Sequence, residues 1–138
     1  MVTSDATTAT GPNGKNRVSV LLPLPLYGAY DYQTDGNLEL QAGDFVAVPL
    51  GSREVVGVVW GDATGDVDEA KIKPVAALFD TPPMPKPLRK FVEWVAAYSL
   101  SPPGAVLRMA MNVRGALEPP KPVRAYTAAE VPSDLRLT

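Results

Sequence analysis

The sequence predicts a mainly β fold with C-terminal helices (α+β): a small curved sheet or barrel-like domain followed by two short helices. Three observations carry that prediction. Alternating or β-branched runs fill the chain from Arg17 to Asp80, glycine and proline mark the corners between them, and apolar residues switch to helical spacing only after Pro87. With 138 residues, 46% of them hydrophobic, the chain has the material for one modest core.

Residues 1–16 are polar and rich in Thr, Ala and Gly, without the apolar stretch of a secretory signal, and are expected to form a disordered lead-in. Residues 17–115 then form the domain. From Arg17 to Leu24, Val18, Val20, Leu22 and Leu24 fall on one face and Ser19, Leu21 and Pro23 on the other, which is strand periodicity. Pro23 marks an edge or a bend. After Tyr27-Gly28-Ala29 and the triplet Tyr30-Asp31-Tyr32, the turn formers Thr34-Asp35-Gly36-Asn37 reverse the chain, so the end of the triplet is expected in a tight loop.

Gln41-Ala42-Gly43-Asp44 reads as a turn into a strand over 45–50. Gly51-Ser52-Arg53 links that strand to a β-branched run from Glu54 to Trp60, and the pair predicts a hairpin. Residues 62–69 form an acidic loop. Lys71 to Asp80 is expected to return as a further strand, with Pro74 making it a poor central one. A proline-rich connector over 81–87 leads to Leu88, Phe91, Val92 and Val95 at helical spacing, with Pro87 in the opening turn. Ser101 before Pro102-Pro103 predicts an N-cap, and Val106, Leu107, Ala110 and Met111 extend a second helix to about Val113. The chain from 116 to 138 is Pro-rich and polar, the pattern of a linker and the truncated start of a following domain.

Composition closes several classes of function. The sequence has no cysteine and no histidine, which removes disulfides, thiolate zinc sites, thiol nucleophiles and imidazole bases. It contains neither a phosphate-loop motif nor a dinucleotide glycine fingerprint, and its longest apolar run, from Val18 to Leu26, is proline-broken and too short to span a bilayer. A formal net charge of −2 means that any nucleic-acid contact must be local.

Asp31 is the most suggestive acid, because two tyrosines flank it. On local sequence alone it reads first as a turn-capping aspartate accepting backbone N–H bonds, and Tyr30 and Tyr32 read first as core or rim residues. Lys71 and Lys73 share one side of their expected strand and look like a solvated face. Arg53 at the hairpin and Arg89-Lys90 at the head of the first helix read the same way, and Trp60 reads as packing.

Taken in order, however, Val20-Leu21-Leu22-Pro23-Leu24-Pro25-Leu26, Tyr30-Asp31-Tyr32, the run from Gly43 to Gly51 ending Val48-Pro49-Leu50-Gly51, and Val56-Gly57-Val58-Val59 resemble the front of the primosomal protein N′ (PriA) family of replication-restart helicases. The similarity continues through Lys73-Pro74-Val75, Leu78-Phe79-Asp80, the stretch from Phe91 to Tyr98 and Pro103-Gly104-Ala105-Val106-Leu107, and covers most of residues 17–113. Leu50 stands where the family often has Phe, and Ser99 follows Tyr98 where a second Tyr is common.

The resemblance implies a 3′-DNA-end-binding domain, followed in the family by a winged helix and a helicase core. It implies a pocket made of Tyr30, Asp31, Tyr32, Gly51 and Lys73, with no catalytic residue and no metal in this stretch. The chain itself is then no enzyme and carries no cofactor, while ATP and zinc belong to the full-length protein. The implied partner is DNA, bound by its 3′ end at forked structures without regard to sequence. Other primosome proteins and single-strand-binding protein are implied for the full-length protein, in the bacterial cytoplasm and at the nucleoid. The competing reading is a protein-interaction or structural barrel module whose tyrosines are core.

Overall fold

The computed structural model describes residues 17–65, 68–113 and 115–126. The expected lead-in and the end of the expected linker lie outside those residues. Five strands, β1 (Arg17–Leu21), β2 (Tyr30–Gln33), β3 (Phe45–Leu50), β4 (Arg53–Asp62) and β5 (Ala77–Leu78), precede two helices, α1 (Lys86–Ser99) and α2 (Pro103–Ala110). The strands form one sheet in the order β2-β1-β4-β3-β5, with every neighbouring pair antiparallel. The fold is therefore mainly β with C-terminal helices, as the sequence predicts, and the sheet is open rather than a closed barrel.

The β3–β4 hairpin is fixed by its turn. Leu50 pairs with Arg53 across a two-residue loop, and Gly51, the first loop residue, has φ 62°. Ser52 keeps a negative φ, which is the type II′ geometry that matches strand twist and requires glycine at the first position. β4 is long enough to pair with β3 through its first half and with β1 through its second. Between those partners Ser19 faces Gly61 and Val20 faces Val59, so Trp60 is an extra residue in the ladder, and such a bulge sharpens local twist.

Curvature brings the two ends of the sheet within reach of one segment. Gln33 N–H donates to the Lys73 carbonyl at 3.0 Å and Val75 N–H to the Gln33 carbonyl at 2.9 Å, while the next amide, that of Ala76, donates to Ala47 on β3 at 2.9 Å. Residues 73–76 thus run from the edge of β2 to β3, where the chain continues as β5. This is why the strand expected from Lys71 to Asp80 is short. A 3-10 turn occupies Glu69–Lys71, Pro74 has no N–H to give to a ladder, and the remaining hydrogen bonds are divided between two different strands.

The sheet separates two apolar clusters. Val20, Leu22, Tyr32, Val46, Val48 and Val59 fill its inner side, with Val18 and Leu24 packed on them, so the alternation read in the first strand sets the face. On the other side Leu21 and Val58 meet Met84, Val92, Ala96, Val106 and Leu107 of the helical layer. α2 approaches the segment that follows β1 closely because Gly104 has no side chain: a Cβ there would lie 2.0 Å from the Leu24 carbonyl oxygen and 2.4 Å from that of Leu22.

Several local expectations shift. The first strand stops at Leu21, before Pro23, and α2 stops at Ala110 rather than near Val113. The triplet lies within β2, and the turn follows it, with Leu38 N–H bonded to the Asp35 carbonyl. Ser101 does not cap α2. Pro102 occupies the N-cap, where the helix begins without a side-chain cap because Pro102 and Pro103 set the backbone and lack N–H groups to satisfy. On α1 the buried residues are Val92 and Ala96, whereas Phe91, Trp94 and Tyr98 face outward and stack in line, with ring centroids 6.3 and 5.2 Å apart. α1 ends on Leu100 at φ 54°, a left-handed position that glycine takes more easily.

These two backbone sites give opposite expectations. Gly104→Ala should lower the unfolding free energy by about 1–3 kcal/mol through overpacking, although alanine is the better helix former. Leu100→Gly should raise it by about 0.5–1 kcal/mol, relief of the left-handed strain being partly offset by a freer unfolded chain. Urea titration of each variant measures both.

Candidate functional site

β2 places its three central residues on two faces. Tyr30 and Tyr32 pair with Val20 and Val18 on the inner face, and Asp31 pairs with Ser19 on the other. Tyr30 is 44% exposed, whereas Asp31 and Tyr32 are buried at 8% and 4%. Tyr32 crosses the inner cluster, and its hydroxyl donates to the Pro49 carbonyl at 3.1 Å. Burial, reinforced by the neighbouring Tyr30, raises its phenol above the ordinary 10.0.

The Asp31 carboxylate is gripped by the chain just after β4. The Thr64 amide donates to Oδ1 at 3.2 Å, and the Thr64 hydroxyl and Gly65 amide donate to Oδ2, each at 3.1 Å. Asp31 therefore does accept backbone N–H bonds, but from a loop 33 and 34 residues away rather than from its own turn. A carboxylate has about four lone-pair positions, and these donors occupy three of them.

The other two residues are tied to the same region through the backbone. Lys73 is exposed, and its carbonyl accepts from Gln33, the residue after Tyr32. Gly51 sits at the hairpin tip two residues beyond the carbonyl that Tyr32 holds, and a Cβ there would meet nothing within 4 Å. Because Gln33 bonds outward to residues 73 and 75, strand alternation directs the N–H and C=O of Asp31 to that same outer edge. Hydrogen bonds thus connect β2 to Lys73 through Gln33 and, through Tyr32, to the end of β3 that leads into the Gly51 turn. Two apolar hollows lie elsewhere, on the helical side, and neither is lined by any of the five residues.

Thr64 is the residue that sequence reasoning passed over. It lies in the loop read as acidic and exposed, and nothing near it in sequence signals a partner on β2. The other cations and Trp60 have simpler settings. Arg53 and Lys71 are exposed, Lys90 pairs with Glu93 at 3.4 Å, and the Trp60 indole donates to Glu93 at 3.0 Å, which fastens the bulge of β4 to α1. Among the described residues no group of three or more His, Cys, Asp or Glu is placed to hold a metal ion, and no helix is long and apolar enough to cross a membrane.

Comparison with known proteins places this geometry in a family setting. Residues 19–112 match the PriA 3′DNA-binding domain (3′BD) family. The chain is 33% identical over 97 residues to the replication restart protein PriA of Synechocystis sp., covering 67% of this chain and 12% of that protein. It is 33% identical over 99 residues to PriA of Haemophilus influenzae, covering 70% of this chain and 14% of that protein. With PriA of Rickettsia conorii it shares 26% over 103 residues, 74% of this chain and 16% of that protein. The chain thus spans about an eighth to a sixth of the length of these relatives.

The buried phenol gives a pH test. At neutral pH, Tyr32→Phe should cost about 0.5–1.5 kcal/mol through loss of the bond to Pro49. The folded chain holds the Tyr32 proton more tightly than the unfolded chain, whose phenol titrates near 10.0, so the stability that this group contributes is intact below that pH and is lost as pH rises through the folded value. The stability gap between wild type and Tyr32→Phe should therefore narrow above pH 10 in denaturant titrations run across that range.

Proposed function

We propose that this chain, which belongs to the PriA 3′DNA-binding domain (3′BD) family, binds DNA for a replication-restart protein by holding the 3′-terminal nucleotide of a strand at the edge of β2. What supports this reading is an exposed Tyr30 next to an Asp31 carboxylate held by the loop after β4, on a strand hydrogen-bonded to Lys73 and, through Tyr32, to the strand that ends at the Gly51 turn.

An internal nucleotide carries a phosphate on its 3′ side, whereas a terminal one offers a hydroxyl. A fixed carboxylate accepts a hydrogen bond from that hydroxyl and repels a phosphate, so Asp31 discriminates ends from interior positions. Tyr30 and Tyr32 wall the sugar and base, with stacking contributing about 1–3 kcal/mol per base where a ring face is available. Exposed Tyr30 is the better placed of the two for that contact, and buried Tyr32 sets its floor. Gly51 leaves room for the nucleotide, and Lys73 meets the phosphate on its 5′ side. Aromatic and backbone contacts discriminate poorly between bases, so the end is bound without regard to sequence. One cation at one phosphate suits a chain of net charge −2.

In this reading the 3′ end belongs to a nascent strand at a stalled fork. ATP-driven unwinding, zinc binding and assembly with other primosome proteins and single-strand-binding protein fall to the remainder of such a protein. Burial of Asp31 and Tyr32 favours a second reading, a structural or protein-interaction module in which both serve packing alone. That reading assigns no role to exposed Tyr30 and Lys73.

End-labelled single strands finished with a 3′-hydroxyl or a 3′-phosphate, bound at two salt concentrations, test the proposal. The hydroxyl strand should bind more tightly, and Asp31→Ala should erase the difference. Lys73→Ala should weaken both strands and lower the salt slope by about 0.7, the value for one phosphate contact on single-stranded DNA. Equal binding of the two strands by wild type sinks the end-recognition reading, and indifference to Tyr30→Ala and Lys73→Ala returns the chain to the structural one.

A further inference from the structure

We infer that Thr64 is a positioning residue for end recognition, its side-chain hydroxyl and backbone amide setting the Asp31 carboxylate in the orientation that accepts a strand's terminal 3′-hydroxyl. The inference rests on the reading of the β2 edge given above and adds a residue to it from a separate part of the chain.

The geometry is that of a clasp closed from one side. Thr64 reaches both carboxylate oxygens, its amide bonding Oδ1 at 3.2 Å and its hydroxyl bonding Oδ2 at 3.1 Å, while Gly65 at φ 79° turns its own amide onto Oδ2 at 3.1 Å. Holding both oxygens fixes the plane of the carboxylate as well as its position. An aspartate held by one oxygen could still rotate and would have to be ordered again by each ligand, at a cost in binding. With three of about four acceptor positions filled, roughly one remains, which suits a single incoming O–H donor.

Asp31 shares its sheet face with Ser19, which is also buried, so the clasp comes from the loop while the sheet supplies a wall. Thr64 itself is exposed, and its hydroxyl is turned onto the Asp31 carboxylate. A threonine whose side chain is not packed, yet which makes two bonds to one buried carboxylate, is built to orient that group. The two amides would hold the loop to Asp31 whatever residue stood at 64, so the hydroxyl is the part of the clasp that can be removed without releasing it.

The test uses the complete chain and the two labelled strands. Thr64→Val removes the hydroxyl and keeps shape and amide, and it should reduce the preference for the 3′-hydroxyl strand about 3- to 10-fold, the equivalent of one hydrogen bond. Thr64→Ser, which keeps the hydroxyl, should restore the preference and melt close to the wild type, whereas Thr64→Val should melt somewhat lower because it removes one bond to a buried carboxylate. A wild type that prefers the hydroxyl strand while Thr64→Val keeps the full preference overturns the role of Thr64 alone. Equal weakening of both strands by Thr64→Val, without rescue by serine, overturns it in favour of loop packing. A wild type with no preference removes the end-recognition reading and this inference together.

Discussion

The chain's architecture depends on a backbone segment of four residues. Lys73 to Ala76 hydrogen-bond to Gln33 on the outermost strand and to Ala47 on β3, two strands that the sheet order keeps apart. Each such bond contributes only about 0.5–1.5 kcal/mol net. Their importance is geometric, since they hold β2 and β3 on either side of one segment and so keep the sheet curled around Val20, Leu22, Tyr32, Val46, Val48 and Val59. The Tyr32 hydroxyl repeats the same connection from inside, by reaching Pro49.

Curling decides where chemistry can sit. The centre of the outer face is taken by the helices, with Leu21 and Val58 against Val92, Ala96, Val106 and Leu107, and the loop at Thr64 and Gly65 holds Asp31 at its margin. The inner face is filled by aliphatic side chains and Tyr32, which leaves the rim of β2 beside the 73–76 segment. A rim of this kind presents single side chains and backbone groups rather than a deep cavity.

Much of this could be read from the sequence because it is local. The hairpin is written in Gly51-Ser52 between two β-branched runs, α1 in the spacing that follows Pro87, and the core face of β1 in the alternation from Val18 to Leu24. What could not be read depends on contacts distant in sequence. The segment from Lys71 to Asp80 looks like one strand because its pattern does not say that its hydrogen bonds go to two partners. Asp31 looks like a turn cap because its donors come from Thr64 and Gly65. Phe91 has the spacing of a core residue and lies outside, because Val92 and Ala96 already fill the approach to the sheet. The five residues of the proposed site stand out only through the ordered motifs that the chain shares with its family, because local periodicity does not select them.

The same 73–76 segment also bears on how copies of the chain meet one another. A sheet that does not close has two edges, and an uncovered edge is a template for pairing with another molecule. Here one edge, at Gln33, is occupied by a segment that carries a proline and an exposed lysine, and the other ends in a strand of two residues, Ala77–Leu78. Neither offers a long run of free amides and carbonyls to a neighbour. The curled sheet thereby gains much of the protection against strand-to-strand aggregation that a closed barrel has, while its rim stays open.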